Sequence, residues 1–221
     1  MTLFNKSKEL LSSIIDPSDD TYGCIHRIEN QPKIWATDRF VLAVATVNNA
    51  EELGKYPMSD TYKKIKHLYP LPENVTWKTI EKSKWEFMMI DNRLWKEEPV
   101  IGWDACDRCN QTGVVRWITE DEKYKEDGEC PECNGNGGAA KTTDKVKILP
   151  NPDFCVEIVP GKKVISKVAI NIGKILLQLE SDPEVAENPH NERQILIRCE
   201  NIEMVCMIAI ADPGFADYLK L

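Results

Sequence analysis

The chain has 221 residues, 42% of them hydrophobic and 29% charged, which is globular usage for one large domain or one domain carrying a sizeable insertion. Its formal net charge of −8 excludes a general nucleic-acid coat, which needs clustered positive charge, but leaves room for one local basic patch. No apolar run approaches the ~18–20 residues that span a bilayer, and Lys6, Lys8 and Glu9 break the N-terminal apolar stretch where a signal peptide would need continuity, so the expectation is a cytoplasmic protein.

In chain order, Leu10, Leu11, Ile14 and Ile15 recur at helical spacing and predict a helix over 5–15, stopped by Asp16-Pro17. Strands are predicted over Tyr22–Glu29, Lys33–Thr37 and Val41–Val47, with Asn30-Gln31-Pro32 and Asp38-Arg39 as turns. From 51 to about 105 the pattern is broken by prolines. Five of the six tryptophans (77, 85, 95, 103 and 117) fall between 77 and 117, and Trp85–Ile90 with Arg93–Lys96 predicts a hairpin around Asp91-Asn92. A cysteine-rich module follows, with Gly135–Thr143 as a small-residue exit. Regular structure resumes at 145, with strands over Val146–Leu149, Cys155–Val159 and Val164–Ile170. Asn171 is placed to cap a helix whose apolar face is Ile172, Ile175, Leu176 and Leu179. A polar loop over 183–192 and two strands, Gln194–Cys199 and Met204–Ala211, close the chain.

The pattern of the module is C-x2-C, twenty residues, then C-x2-C, with Cys106, Cys109, Cys130 and Cys133 as ligands. Each pair sets two thiolates on one tight turn at the span tetrahedral zinc requires, and the gap fits a hairpin built from Gly113–Ile118 and the returning Lys123–Lys125. Four cysteines leave no position open for water, so one structural zinc is expected rather than a hydrolytic one. The other four cysteines, 24, 155, 199 and 206, read as buried free thiols. Between 96 and 133 eleven acidic residues stand against five basic ones, a surface that repels phosphate and suits a protein partner.

The second knuckle, Cys133-Asn134-Gly135-Asn136-Gly137 after Cys130-Pro131-Glu132, resembles the C-x-x-C-x-G-x-G repeat of J-protein co-chaperones. The first, Cys106–Gly113, keeps only its last glycine. That resemblance supports a zinc knuckle and not a chaperone, since no His-Pro-Asp is present. Lys33-Ile34-Trp35-Ala36-Thr37-Asp38-Arg39-Phe40-Val41-Leu42-Ala43-Val44 resembles a segment of the bacterial sliding clamp, the polymerase processivity subunit, and Val164–Leu179 and Gln194–Ala211 are similar to the strand–helix unit and closing strands of the same fold. The resemblance implies an α+β, strand-rich clamp-like domain with two helices, assembled from 1–50 and 145–221 and interrupted by an insertion over 51–144 that carries the zinc module at about 103–138. It has room for one such domain where a clamp subunit has three. Ala36-Thr37-Asp38 read without the resemblance is a hairpin turn with a capping Asp.

Residues 55–84 hold seven lysines interleaved with Tyr56, Tyr62, Tyr69 and Trp77, which fits either single-stranded nucleic acid, with Lys63, Lys64 and Lys66 as contacts, or a solvated lysine face over an aromatic core. His26, His67 and His190 have no Cys, Ser or carboxylate neighbour at recognisable spacing, and no P-loop, G-x-G-x-x-G, H-E-x-x-H or G-x-S-x-G motif occurs. The functional expectation is therefore a non-enzymatic binding protein, a clamp-like accessory or regulator of DNA replication or other DNA transactions, with a phage as its expected source. The alternative is a zinc-stabilised protein–protein adaptor that makes no nucleic-acid contact.

Overall fold

The structure, a computed structural model, describes residues 3–19, 22–47, 53–58, 66–118, 125–208 and 218–221. The chain divides into two compact units, one built from 1–95 with 150–221 and one from 96–149.

The first unit holds a seven-stranded sheet. Its strands are β1 (His26–Arg27), β2 (Lys33–Thr37), β3 (Val41–Thr46), β4 (Lys78–Thr79), β11 (Glu184–Glu187), β12 (Gln194–Cys199) and β13 (Ile202–Met207). They lie in the order β1-β2-β3-β13-β12-β11-β4. Every pairing in the sheet for which a register is defined is antiparallel. β9 (Cys155–Val159), β10 (Lys162–Ile165) and β14 (Tyr218–Lys220) form a smaller sheet in which β14 lies parallel to β9. Helices α1 (Leu3–Ser12), α2 (Lys82–Met89) and α3 (Ser166–Leu176) pack with α3 touching both of the others.

Period-2 alternation sends the two faces of the large sheet into separate cores. Ile34, Ala36, Val41, Ala43, Ile195, Ile197, Met204 and Cys206 face the helices and meet Leu10, Leu11, Val168, Ile172 and Leu176. Trp35, Leu42, Val44, Leu196 and Val205 face the other way and are covered by Leu68, Tyr69, Leu71, Val75 and Trp77. A strand buried on both faces cannot show polar alternation, which is why β2, β3 and β12 read as near-continuous apolar runs.

The large sheet is internally repeated. Each half is a helix followed by three strands, α1-β1-β2-β3 and α3-β11-β12-β13, and the halves meet at the β3–β13 pair. β2 begins at Lys33 and β12 at Gln194, while β3 runs 41–46 and β13 runs 202–207, a constant offset of 161 positions. Ile34/Ile195 and Val44/Val205 are the only identities between these strand pairs, so the sequence shows no repeat where the fold has one.

Several predicted elements move. Trp85–Met89 belongs to helix α2, with Ile90 as its C-cap, and not to a strand: Trp85 and Met88 sit three apart and fully buried, and the Lys82 amide donates to Asp182 Oδ1 at 2.8 Å, a cap from a residue a hundred positions away. This helix and β4 join the first unit, so the boundary expected at 51 falls at 96. Helix α3 starts at Ser166 instead of after Asn171, which leaves only Lys162–Ile165 as strand. Of Tyr22–Glu29 only His26–Arg27 is strand, because Gly23 turns the chain with its N–H on Asp19 O at 2.7 Å. The polar stretch 183–192 contains β11, whose Val185 and Ala186 are buried.

Asp38 locks the centre of the first half. Its Oδ1 accepts from the Phe40 and Val41 amides at 3.0 and 2.7 Å, and its Oδ2 accepts from Asn171 Nδ2 on α3 at 2.7 Å. The capping role expected of Asp38 is thus joined to a tertiary one, and Asn171 serves the turn instead of a helix start. Asp38→Ala is expected to cost about 2 kcal/mol, through the broken turn bonds and the stranded Asn171 amide. A lower urea midpoint with unchanged slope would register it; a change under roughly 0.5 kcal/mol would mean the turn holds without this carboxylate.

Candidate metal centre and binding surfaces

The second unit has two ribbons, β5 (Trp95–Ala105) with β8 (Gly138–Pro150) and β6 (Val114–Ile118) with β7 (Lys125–Glu129), and the four module cysteines lie between them in sequence. Cys106, Cys109, Cys130 and Cys133 are buried, and their sulfurs all lie within 4.8 Å of one another. The Cys106–Cys130 and Cys109–Cys133 sulfur pairs are each 3.7 Å apart. A disulfide needs about 2.05 Å, whereas four sulfurs at about 2.3 Å from one tetrahedral zinc are about 3.8 Å apart. The donor set and spacing therefore suit one closed four-thiolate ion site.

Backbone geometry explains how the sequence builds it. The two knuckles repeat at an offset of 24 positions and bond each other reciprocally. The Cys106 amide donates to Gly137 O at 2.9 Å and the Cys130 amide to Gly113 O at 2.8 Å. Asn110, Gln111 and Gly113 have positive φ, and so do Asn134, Gly135 and Gly137. These left-handed residues turn N–H groups inward, and the Gly137 amide reaches Cys133 Sγ at 3.2 Å. Burial pushes the Cys133 thiol up to about 11; burial also acts to raise Cys130, but the Cys133 and Glu132 amides hold it down to about 7. Four ionised thiols this close need a cation between them.

Gly113 and Gly137 carry the closest approaches: a Cβ on Gly113 would strike the Gly135 carbonyl, and one on Gly137 the Gln111 carbonyl. Gly113→Ala and Gly137→Ala should therefore each open the knuckle-to-knuckle packing and leave the four thiols accessible to a thiol reagent under conditions where the parent protein protects them. Unchanged protection in both variants would count against this packing.

The β5–β8 ribbon is two-faced. Lys141 pairs with Asp104 at 3.3 Å, Lys147 with Glu98 at 3.5 Å, and Thr143 Oγ1 donates to Val100 O at 2.8 Å, which puts 98, 100, 102 and 104 on one face with 141, 143, 145 and 147. By alternation Ile101 and Trp103 share the other face with Val146 and Ile148, and all four are more than half exposed, at 58–63%. Glu97 and Asp144 are the charges on that apolar face, and no Lys or Arg is.

Two lysine-bearing helices touch in the first unit, with Asp16, Asp19 and Asp38 lining the same depression as Lys167 and Lys174. α1 carries Lys6, Lys8 and Glu9, α3 carries Lys167 and Lys174 without an acid, and the two helices touch; together they hold a net +3 in a chain of −8. Lys8, Lys167 and Lys174 are exposed. The sequence signal was present, because Lys167 and Lys174 are seven apart, opposite the apolar stripe of Val168, Ile172, Ile175 and Leu176. Of the lysines expected to contact nucleic acid, Lys66 is exposed, and Lys63 and Lys64 lie outside the described residues. The aromatics of that stretch divide: Tyr69 is buried in the second core, Trp77 packs against it, and Tyr62 is outside the described residues.

The remaining cysteines also divide. Cys155, Cys199 and Cys206 are buried as expected, and burial pushes all three thiols up, Cys199 to about 11. Cys24 departs from expectation and is exposed, with Sγ 3.3 Å from His26 Nε2. Among the described residues no helix is long and apolar enough to cross a membrane.

No family model matches the chain, and no curated protein matches it. Among solved structures it is similar to the DNA polymerase III β subunit of Thermotoga maritima, at 13% identity and a TM-score of 0.43 over 94% of this chain. It is also similar to the DNA polymerase sliding clamp of Bacillus subtilis, at 11% identity and a TM-score of 0.45 over 95% of this chain. A third is the Helicobacter pylori β clamp bound to a DNA ligase peptide, at 12% identity and a TM-score of 0.44 over 93% of this chain. The match spans 62% of the Thermotoga chain and 63% of each of the other two.

Proposed function

We propose that this protein works by binding and not by catalysis, as a clamp-like accessory of DNA transactions whose second unit is held together by one zinc ion. The observation that carries the reading is the helix pair α1–α3, which gathers a net +3 onto adjacent helices of an acidic chain. Exposed lysines on neighbouring helices suit a phosphate backbone, which takes positive charge without reading sequence. The internal repeat supports it, since two equivalent helix-and-strand halves present two equivalent helices to one elongated ligand. Lys63, Lys64 and Lys66 of the Lys55–Lys84 stretch stay a separate candidate contact, because Leu68, Tyr69 and Trp77 of that stretch cover the sheet face opposite the helices.

Binding of a double-stranded oligonucleotide is expected to weaken steeply as salt rises. Replacing Lys8, Lys167 and Lys174 by Gln should lower affinity and reduce the slope of log K against log salt by roughly 2–3, at about 0.9 for each phosphate no longer neutralised. Absence of salt-dependent binding by the parent protein would remove the nucleic-acid reading.

The exposed apolar face of the β5–β8 ribbon favours a second reading, an adaptor that docks a protein partner. Its lack of Lys and Arg makes it a poor match for phosphate, while Trp and large aliphatic side chains suit the centre of a protein interface. This reading stands if DNA is not bound.

For the metal, purified protein should return close to one zinc per chain, and Cys→Ser at any of positions 106, 109, 130 and 133 should reduce it. Chelation should unfold the second unit, because a closed thiolate site contributes folding energy directly. Full zinc retention in all four variants would overturn the assignment.

A further inference from the structure

We infer that Cys24 is a reactive-thiol modification site, activated by His26, that takes soft electrophiles and peroxides. All eight cysteines lie among the described residues. Four share the metal centre, three are buried with raised thiol pKa values, and Cys24 is the one exposed to solvent. Exposure alone would make it ordinary. The second observation is His26, only 6% exposed, whose Nε2 lies 3.3 Å from Cys24 Sγ.

The imidazole is held in place. It stacks on the fully buried Trp35 ring with centroids 4.6 Å apart and planes 26° apart, and His26 and Trp35 are also register partners in the β1–β2 pair. The backbone beside the thiol is packed as well: Gly23 donates to Asp19 O at 2.7 Å, and a Cβ there would collide with the Asp19 and Asp16 carbonyls. Burial lowers the His26 pKa, so the ring is neutral at pH 7 and carries one N–H.

His26 Nδ1 is buried and has no partner among the described residues. Nε2 is the ring nitrogen that meets the sulfur: protonated, it donates its N–H to Sγ; bare, it accepts the thiol proton; in both cases the reacting sulfur is paired with the imidazole. The thiol proton leaves to Nε2 or to solvent. With peroxide the sulfur lone pair forms an S–O bond, the O–O bond breaks and hydroxide leaves. Cysteine is thereby oxidised to sulfenic acid and hydrogen peroxide reduced. With iodoacetamide an S–C bond forms and iodide leaves.

The test is the second-order rate of iodoacetamide with zinc-loaded full-length protein at pH 7, with the labelled residue mapped by mass spectrometry. The reference is the free hexapeptide Tyr-Gly-Cys-Ile-His-Arg, which matches residues 22–27 and has the same side chains without the fold. Cys24 is expected to label first and at least about tenfold faster than the peptide, and Cys24→Ser to abolish the fast phase. His26→Phe keeps a stacked ring but removes both nitrogens, and should return the rate to that of the peptide with a cooperative melt retained. Dimedone should trap a sulfenic acid on Cys24 after peroxide treatment of the parent protein, and not of Cys24→Ser. A parent rate no faster than the peptide, or a His26→Phe rate equal to the parent, overturns the inference; if His26→Phe does not fold, the peptide comparison alone decides it.

Discussion

The β3–β13 pair joins the two halves of the first unit, and everything else in that unit depends on it. Val41 pairs with Cys206 and Ala45 with Ile202, so a strand near the start of the chain lies against one near its end. Through this pair the hairpins β2–β3 and β12–β13 become one sheet, and the helices that precede them come to lie against each other. Neither half could bury its apolar strands alone, because a three-stranded meander with one helix leaves its open edge and much of one face wet.

The same pair makes an insertion cheap. Once β3 and β13 are joined, the chain between them is a closed loop, and closure entropy grows only by about 0.6 kcal/mol for each doubling of loop length. The Asn151 amide donates to Leu94 O at 2.8 Å and its side chain to Arg93 O at 2.9 Å, so the chain leaves the first unit and returns to it at one point. What lies beyond needs its own source of stability. Among the described residues of 96–149 there are two ribbons, and the buried hydrophobic cluster is the four cysteines with Val115 packed against them. An ion held by the four thiolates would supply what so small a core cannot.

Both units repeat a local motif, and only one of the two repeats can be read directly from the sequence. In the cysteine module the repeat is written in residue types, since thiols and left-handed glycines have few substitutes. In the large sheet the repeat is written in burial pattern, which Ile, Leu, Val, Met, Ala and Trp satisfy interchangeably. Ala36 and Ile197 occupy equivalent places with nothing in common beyond being buried.

The sequence by itself determined the elements whose cause is local. The four-cysteine cluster, the β2–β3 hairpin with its Asp38 turn, β9, β12 and the apolar stripe of α3 were all legible, because spacing, alternation and turn chemistry act within a few residues. The tertiary structure decided what depends on distant partners. Helix α2 is capped by Asp182, β11 is a strand because it pairs with β12, and helices α1 and α3 came together only when β3 met β13. Cys24 and His26 are two residues apart in sequence, yet their relation was invisible: it requires Trp35 beneath the imidazole and the Gly23 turn beside the thiol, and both are brought there by the fold.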